Sequence, residues 1–159
     1  MLKLFLARVP STRALATKAL IAMLLPFAFA VTAQASQPMG SEEKFGDYVV
    51  YSSAFNSTFL TPDIAKSYGI ERAKNQALIN VSIMKDGKGV EADVQAETSN
   101  LMGQKNTLKT WLVDEGDAKY YLASFKITND EVLHFTIKVS PKGTNLSHTV
   151  RFSQKFYED

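Results

Sequence analysis

ALINVSIMKDGKGVEADVQA, residues 77–96, is the stretch whose reading decides the fold class. Its first half carries Ala77, Ile79, Val81 and Ile83 at odd positions, and its second carries Val90, Ala92, Val94 and Ala96 at even ones. A period of two is the pattern of strands with one face in a core. Between the halves stands Asp86-Gly87, a favoured pair for a type I′ turn, where both residues need positive φ. A slip of one residue turns every side chain over, so the two apolar sets share a face only if paired numbers sum to an odd value. The two-residue turn supplies that sum, pairing Lys85 with Lys88 and Ile83 with Val90. Turn chemistry and apolar register agree on a hairpin.

Downstream, Trp111 and Val113 have the parity of Tyr121, Ala123, Phe125 and Ile127. That predicts an odd loop, Glu115-Gly116-Asp117, with glycine in the left-handed position. Thr128-Asn129-Asp130 is read as a second three-residue loop, pairing Phe125 with Leu133. In the last strand, His148 to Tyr157, Val150, Phe152 and Phe156 point one way and Arg151 and Lys155 the other. Upstream, Gly46 to Phe55 is the first strand. Thr61 to Gly69 is the exception to the β pattern: a capping Thr61, Pro62, Asp63 and a stop at Gly69 predict a helix of about two turns. About seven strands joined mainly by hairpins predict a mainly β fold, an antiparallel immunoglobulin-like β-sandwich with one short helix. An eight-stranded up-and-down barrel is the alternative.

The N-terminal region is of a different kind. Lys3, Arg8, Arg13 and Lys18 precede an apolar run, Ala19 to Val31, and Ala33-Gln34-Ala35 follows. This is the plan of a cleavable signal peptide, residues 1–35, cut between Ala35 and Ser36, with Val31-Thr32-Ala33 as a second possible site. The apolar run falls short of the roughly 20 residues of a membrane span, and Pro26 interrupts it. Residues 36–43 read as a flexible leader and 44–159 as a single domain. The expected address is the periplasm, reached by the general secretory route, with no transmembrane anchor in the mature chain.

Export changes the charge argument. The full chain has 18 basic and 16 acidic side chains. Four of the basic ones lie in the signal, so the exported part carries 14 against 16, a net charge of −2. The basic excess belongs to targeting, and nucleic acid is not an expected partner. The absence of cysteine excludes a disulfide framework and thiol catalysis.

No catalytic constellation stands out. Gly-x-Ser-x-Gly does not occur, and His134 and His148 fall too far apart along the final hairpin to share an ion. Asp114, Glu115 and Asp117 lack the spacing of a calcium loop. Glu91, Asp93 and Glu97 read as the wet face of a half-buried strand. No catalytic residues, metal ligands or cofactors are therefore expected, and a carboxylate-based hydrolase is the least favoured function. One surface resists the bland reading: by the register above, Leu108, Leu112, Tyr120 and Leu122 lie opposite Trp111 and Phe125, so the hairpin is apolar on both faces. The helix with Ile64 and Tyr68, a partner protein or a ligand must cover the second face.

The strings AFNSTFL (54–60), YGI (68–70), NLMGQ (100–104), YYLASF (120–125) and the closing KFYED, in that order and spacing, resemble domain of unknown function 4426. That family comprises small exported proteins of Gram-negative bacteria. The resemblance spans essentially the whole exported chain and implies a periplasmic address without an assigned activity. Its shared polar residues, Asn56, Ser57, Thr58, Asn100 and Gln104, are candidate ligand contacts, although turn chemistry explains the same residues. The expected function is a non-enzymatic binding or interaction module of the cell envelope, its partner an unknown envelope protein or a small ligand. A small-ligand-binding β-sandwich is the alternative.

Overall fold

The computed structural model describes residues 40–159. The expected signal peptide, its cut at Ala35 and Ser36, and residues 36–39 lie outside the described residues. Ten strands are present: β1 Gly40–Phe45, β2 Tyr48–Asn56, β3 Gln76–Lys85, β4 Lys88–Gly89, β5 Ala92–Asn100, β6 Lys105–Leu108, β7 Trp111–Glu115, β8 Ala118–Lys126, β9 Glu131–Pro141 and β10 His148–Phe156. One helix, α1 (Pro62–Ser67), lies between β2 and β3. A six-stranded sheet runs β1-β2-β3-β8-β7 with β4 attached to β3, and a four-stranded sheet runs β10-β9-β5-β6. Every pairing is antiparallel. The fold is the expected β-sandwich with one short helix, built from more strands than the seven read from sequence. One of the additions is β1, because Gly40 to Glu43, read as leader, pair with Val50 to Ser53 of β2.

The main core fills the space between the sheets. Val50, Ile79, Val81 and Ile83 from the larger sheet meet Phe135, Ile137, Val139 and Val150 from the smaller, all essentially solvent-free. Phe125 packs edge-on against Phe135 and Phe156 at 5.4 and 5.5 Å. These contacts, dispersion added to apolar burial, are the main force holding a cysteine-free sandwich together.

The Asp86-Gly87 turn forms as read, with φ of 50° and 76° and Lys85 opposite Lys88. Val90 N–H donates to Ile83 O at 2.9 Å. The pairing then ends. Ala92 onwards crosses to the other sheet and pairs with β9, so the odd and even apolar sets face one core from opposite walls. The chain crosses again between β8 and β9: Phe125 and Leu133, expected to be ladder partners, stand in different sheets. Alternation identifies a core-facing side chain; it does not say which wall carries it.

The β7–β8 register also differs from the reading. Trp111 pairs with Leu122, Leu112 with Tyr121 and Val113 with Tyr120, around a two-residue Gly116-Asp117 turn. Gly116 has φ of 76° while Asp117 is not left-handed, which fits a type II′ turn. The parity argument assumed that Trp111 and Val113 face the main core. They face the opposite side, and since both sides are apolar, only the turn fixes the register.

Candidate functional site

On the outer side of the larger sheet, Leu78 and Leu122 form a second apolar cluster with Ala65 and Ile70, joined by Phe55, Leu60, Tyr68, Trp111, Val113 and Tyr120. The cover is the chain's own helical segment. Thr61 Oγ1 accepts from Ile64 N at 3.4 Å, Pro62 opens the helix and Asp63 sits in its first turn. At the other end, Ile70 N–H donates to Ala65 O at 2.8 Å and Gly69 N–H to Lys66 O at 3.2 Å. That pair of bonds is a Schellman stop, and its apolar contact, Ile70 with Ala65, packs onto the sheet. A six-residue helix is not stable alone, so caps and packing hold it here. Ala65, Tyr68 and Ile70 make the contact; Ile64, expected to do so, is 45% exposed.

The cover leaves a cavity of about 230 Å³ between the residues flanking α1 (Leu60, Tyr68 and Ile70) and the sheet, walled further by Phe55, Leu78, Val113 and Leu122. Its polar lining is Asn80, Tyr68, Tyr120 and Glu115. Tyr68 OH donates to the Glu115 carboxylate, which pushes the phenol above its ordinary pKa and ties the end of α1 to β7. Asn80 stands between Ser53 and Leu122 in the ladder. Its Oδ1 is buried and has no hydrogen-bond partner among the described residues. Asn80 also lines a neighbouring cavity of about 320 Å³, formed with Gly40, Ser41, Glu42, Tyr51, Ser52 and Ser53. Buried polar atoms are nearly always paired, so this oxygen is a local defect in a residue that borders two cavities. Sequence reasoning missed Asn80. Its signal was a lone amide in the outward series Leu78, Asn80, Ser82 of a strand buried on both faces.

The residues singled out from sequence lie elsewhere, apart from two. Leu108 is buried between the sheets, Leu122 lies under α1, Tyr120 is half-buried beside it, and Leu112 is 39% exposed on the opposite side of β7. The four do not form one surface, because the register that aligned them does not occur; Tyr120 and Leu122 remain together as cavity wall. Asn56, Ser57 and Thr58 secure the C-terminus and the segment before β3. Asn56 Nδ2 donates to Tyr157 O at 2.8 Å, Thr58 Oγ1 donates to the Asp159 carboxylate, and buried Ser57 exchanges hydrogen bonds with Ala73. Asn100 folds its own hairpin tip, accepting from Met102 N and Gln104 N and donating to Gln104 Oε1 at 2.7 Å.

The titratable groups are dispersed. His134 bonds Ser153 at 2.7 Å, and His148 bonds Glu43 at 2.7 Å while stacking on Phe45. Ser153 lies opposite His134 and five residues from His148, a separation of ~17 Å. Glu91, Asp114 and Asp130 are each held below the ordinary carboxylate range by a hydrogen-bonded lysine, Lys142, Lys119 and Lys155 respectively. Among the described residues, no three His, Asp or Glu side chains gather as a metal site requires, and no helix is long and apolar enough to cross a membrane.

Comparison with known proteins places this geometry in context. The family model described as a domain of unknown function (DUF4426) matches residues 42–159. The crystal structure of a DUF4426 family protein from Pseudomonas aeruginosa PAO1 is 40% identical, with a TM-score of 0.68, covering 76% of this chain and 97% of that one. FetP of uropathogenic Escherichia coli strain F11, expressed in the E. coli periplasm, has a TM-score of 0.53 at 14% identity, covering 77% and 96%. A copper-bound variant of FetP gives 0.52 at 13% identity, covering 76% and 96%. At that identity the FetP likeness is one of fold alone. No curated protein matches.

Proposed function

We propose that this chain, which belongs to the DUF4426 family, is an exported, non-catalytic module of the periplasm that binds a small molecule in the cavity between the residues flanking α1 and the larger sheet. The observation that carries the reading is a cavity walled mainly by apolar side chains, with Asn80, Tyr68, Tyr120 and Glu115 as its few polar groups. Small-molecule sites have this composition: an apolar enclosure that supplies affinity and a few placed polar groups that orient the ligand. The N-terminal signal pattern supports the address. Glu91, Asp114, Asp130 and Asp159 are each held down by a hydrogen-bonded partner, the behaviour of surface ion pairs and clasps. An envelope protein docking on Leu108, Leu112, Tyr120 and Leu122 is not favoured, since the four side chains do not form one surface.

The reading is tested by native mass spectrometry of the protein exported from its full-length gene. A retained small molecule is expected, and Val113→Phe, which fills the cavity from its wall, should abolish retention without loss of fold. Equal retention by the filled variant would place the ligand elsewhere and sink the reading.

A further inference from the structure

We infer that β7 is an interface between two copies of this chain: their β7 edges pair antiparallel about a two-fold axis at Leu112, and the two larger sheets join into one. The inference comes from comparing the four outermost strands, β1 and β7 of the larger sheet and β10 and β6 of the smaller. An edge strand offers unpaired backbone to any other strand, and charged side chains along it are a common defence. β1 carries Glu42, Glu43 and Lys44, β10 carries Arg151 and Lys155, and β6 carries Lys105, Asn106 and Thr107. β7 instead opens with Trp111-Leu112-Val113 and holds no cation and no proline. Its two carboxylates are engaged within the chain, Asp114 with Lys119 and Glu115 with Tyr68. Leu112 is 39% exposed on one face, and Trp111 and Val113 are only half-buried on the other.

Backbone and charge together fix the register. The two-residue turn closes on the pair Glu115 and Ala118, so Trp111, Val113 and Glu115 turn their N–H and C=O towards β8. Leu112 and Asp114 turn theirs outward, where no segment among the described residues meets them. With the axis at Leu112, that residue exchanges two backbone hydrogen bonds with the partner's Leu112, and Trp111 stands beside the partner's Val113. Lys109, two residues before Trp111, comes level with the partner's Glu115. Among the described residues, neither Lys109 nor Glu115 has an ion-pair partner in its own chain. An axis at Val113 sets Leu112 against the partner's Asp114 and Trp111 against the partner's Glu115. An axis at Asp114 opposes like charges, which is unfavourable, and one at Trp111 leaves Lys109 against the partner's Val113. Of these registers, the Leu112 axis alone matches apolar with apolar and cation with carboxylate, the self-complementarity a two-fold interface requires.

Sedimentation velocity across the micromolar range tests the interface, and the unmodified protein should show a reversible dimer of the weak class expected for a small contact. Leu112→Lys sets like charges across the axis and should weaken dimerisation by about tenfold or more, with an unchanged circular dichroism spectrum. Lys109→Glu should weaken it about threefold, the size of an exposed ion pair, and adding Glu115→Lys to that variant should restore it. The chain has no cysteine, so single cysteines read the register without background. Residues of a hydrogen-bonded antiparallel pair have Cα atoms about 5.5 Å apart, within disulfide range. Two chains of the Leu112→Cys variant should therefore cross-link under mild oxidation. Two chains of the Asp114→Cys variant should not, because position 114 lies four residues along the ladder from its copy, ~13 Å away. A protein that stays monomeric throughout, a dimer that survives Leu112→Lys, or cross-linking as fast at 114 as at 112 overturns the inference.

Discussion

Asn80→Leu should make the protein more stable. Asn80 sits on the central strand β3, with Leu78 on the same face and Leu122 beside it across the ladder, both buried. Its Oδ1 is buried without a partner, a defect that costs about 1–3 kcal/mol. Leucine has the same branching at Cγ, places a methyl where the oxygen stood and adds apolar contact. The expected net gain is about 1–2 kcal/mol, and for a domain of this size that raises Tm by roughly 4–8 °C. Urea unfolding of the protein, followed by Trp111 fluorescence and far-ultraviolet circular dichroism, reads it directly. The midpoint should rise with an unchanged m-value, so that the gain is one of stability and not of denatured-state compactness. Asn80→Asp, which buries a charge in the same place, should fall well below the parent. A midpoint that stays put or drops in the leucine variant would refute the reasoning, because the oxygen must then be satisfied in solution.

Other consequences follow from the packing and the charges. Tyr121→Phe removes the buried hydroxyl that accepts from Ala92 N at 2.7 Å; leaving that N–H unpaired where the chain crosses between sheets should cost about 1–3 kcal/mol in urea unfolding. Phe135→Ala opens the centre of the aromatic cluster and should cost about 3–5 kcal/mol, enough to show as lost yield of folded protein. Glu91, Asp114 and Asp130 have folded pKa values below their unfolded ones. Their contribution is therefore present above the ordinary carboxylate range, about pH 4, and is lost as pH falls through the depressed values. All three are exposed, so the acid-induced decline in urea midpoint should shrink in high salt; a decline indifferent to salt would exclude these pairs as its source. Removing Tyr157 to Asp159 releases the bonds from Asn56 and Thr58 and should increase protease cleavage around the Phe59 turn without unfolding the sandwich.

Much of the architecture was legible along the chain because it rests on local chemistry. The Asp86-Gly87 turn, the capped helix with its Schellman stop, and the inward series Ile79, Val81, Ile83 and Phe135, Ile137, Val139 all follow from φ preferences and a period of two. The errors share one cause. Alternation reports burial and not the identity of the burying surface, so strands facing each other across the core were read as neighbours in one sheet. Where both faces of a strand are apolar, as in β7 and β8, the apolar pattern loses its authority over register, and Gly116 decides it.

The candidate site shows the same division more sharply. The family resemblance singled out Asn56, Ser57, Thr58, Asn100 and Gln104 as shared polar residues, and in the fold turn and clasp bonds use the polarity up. Asn80 was not among them. Its significance depends on α1 folding back over the sheet, a contact between segments far apart in sequence that no local pattern encodes. By itself the sequence determined the export pattern, the β class, the helix and the two-sided apolar hairpin, since each is a property of residues within a few positions of one another. The tertiary structure decided which sheet each strand joined, that the helix covers the second face, and that one amide beneath it is left without a partner. Burial and hydrogen-bond satisfaction are properties of assembled surfaces, and they exist only once the chain has closed on itself.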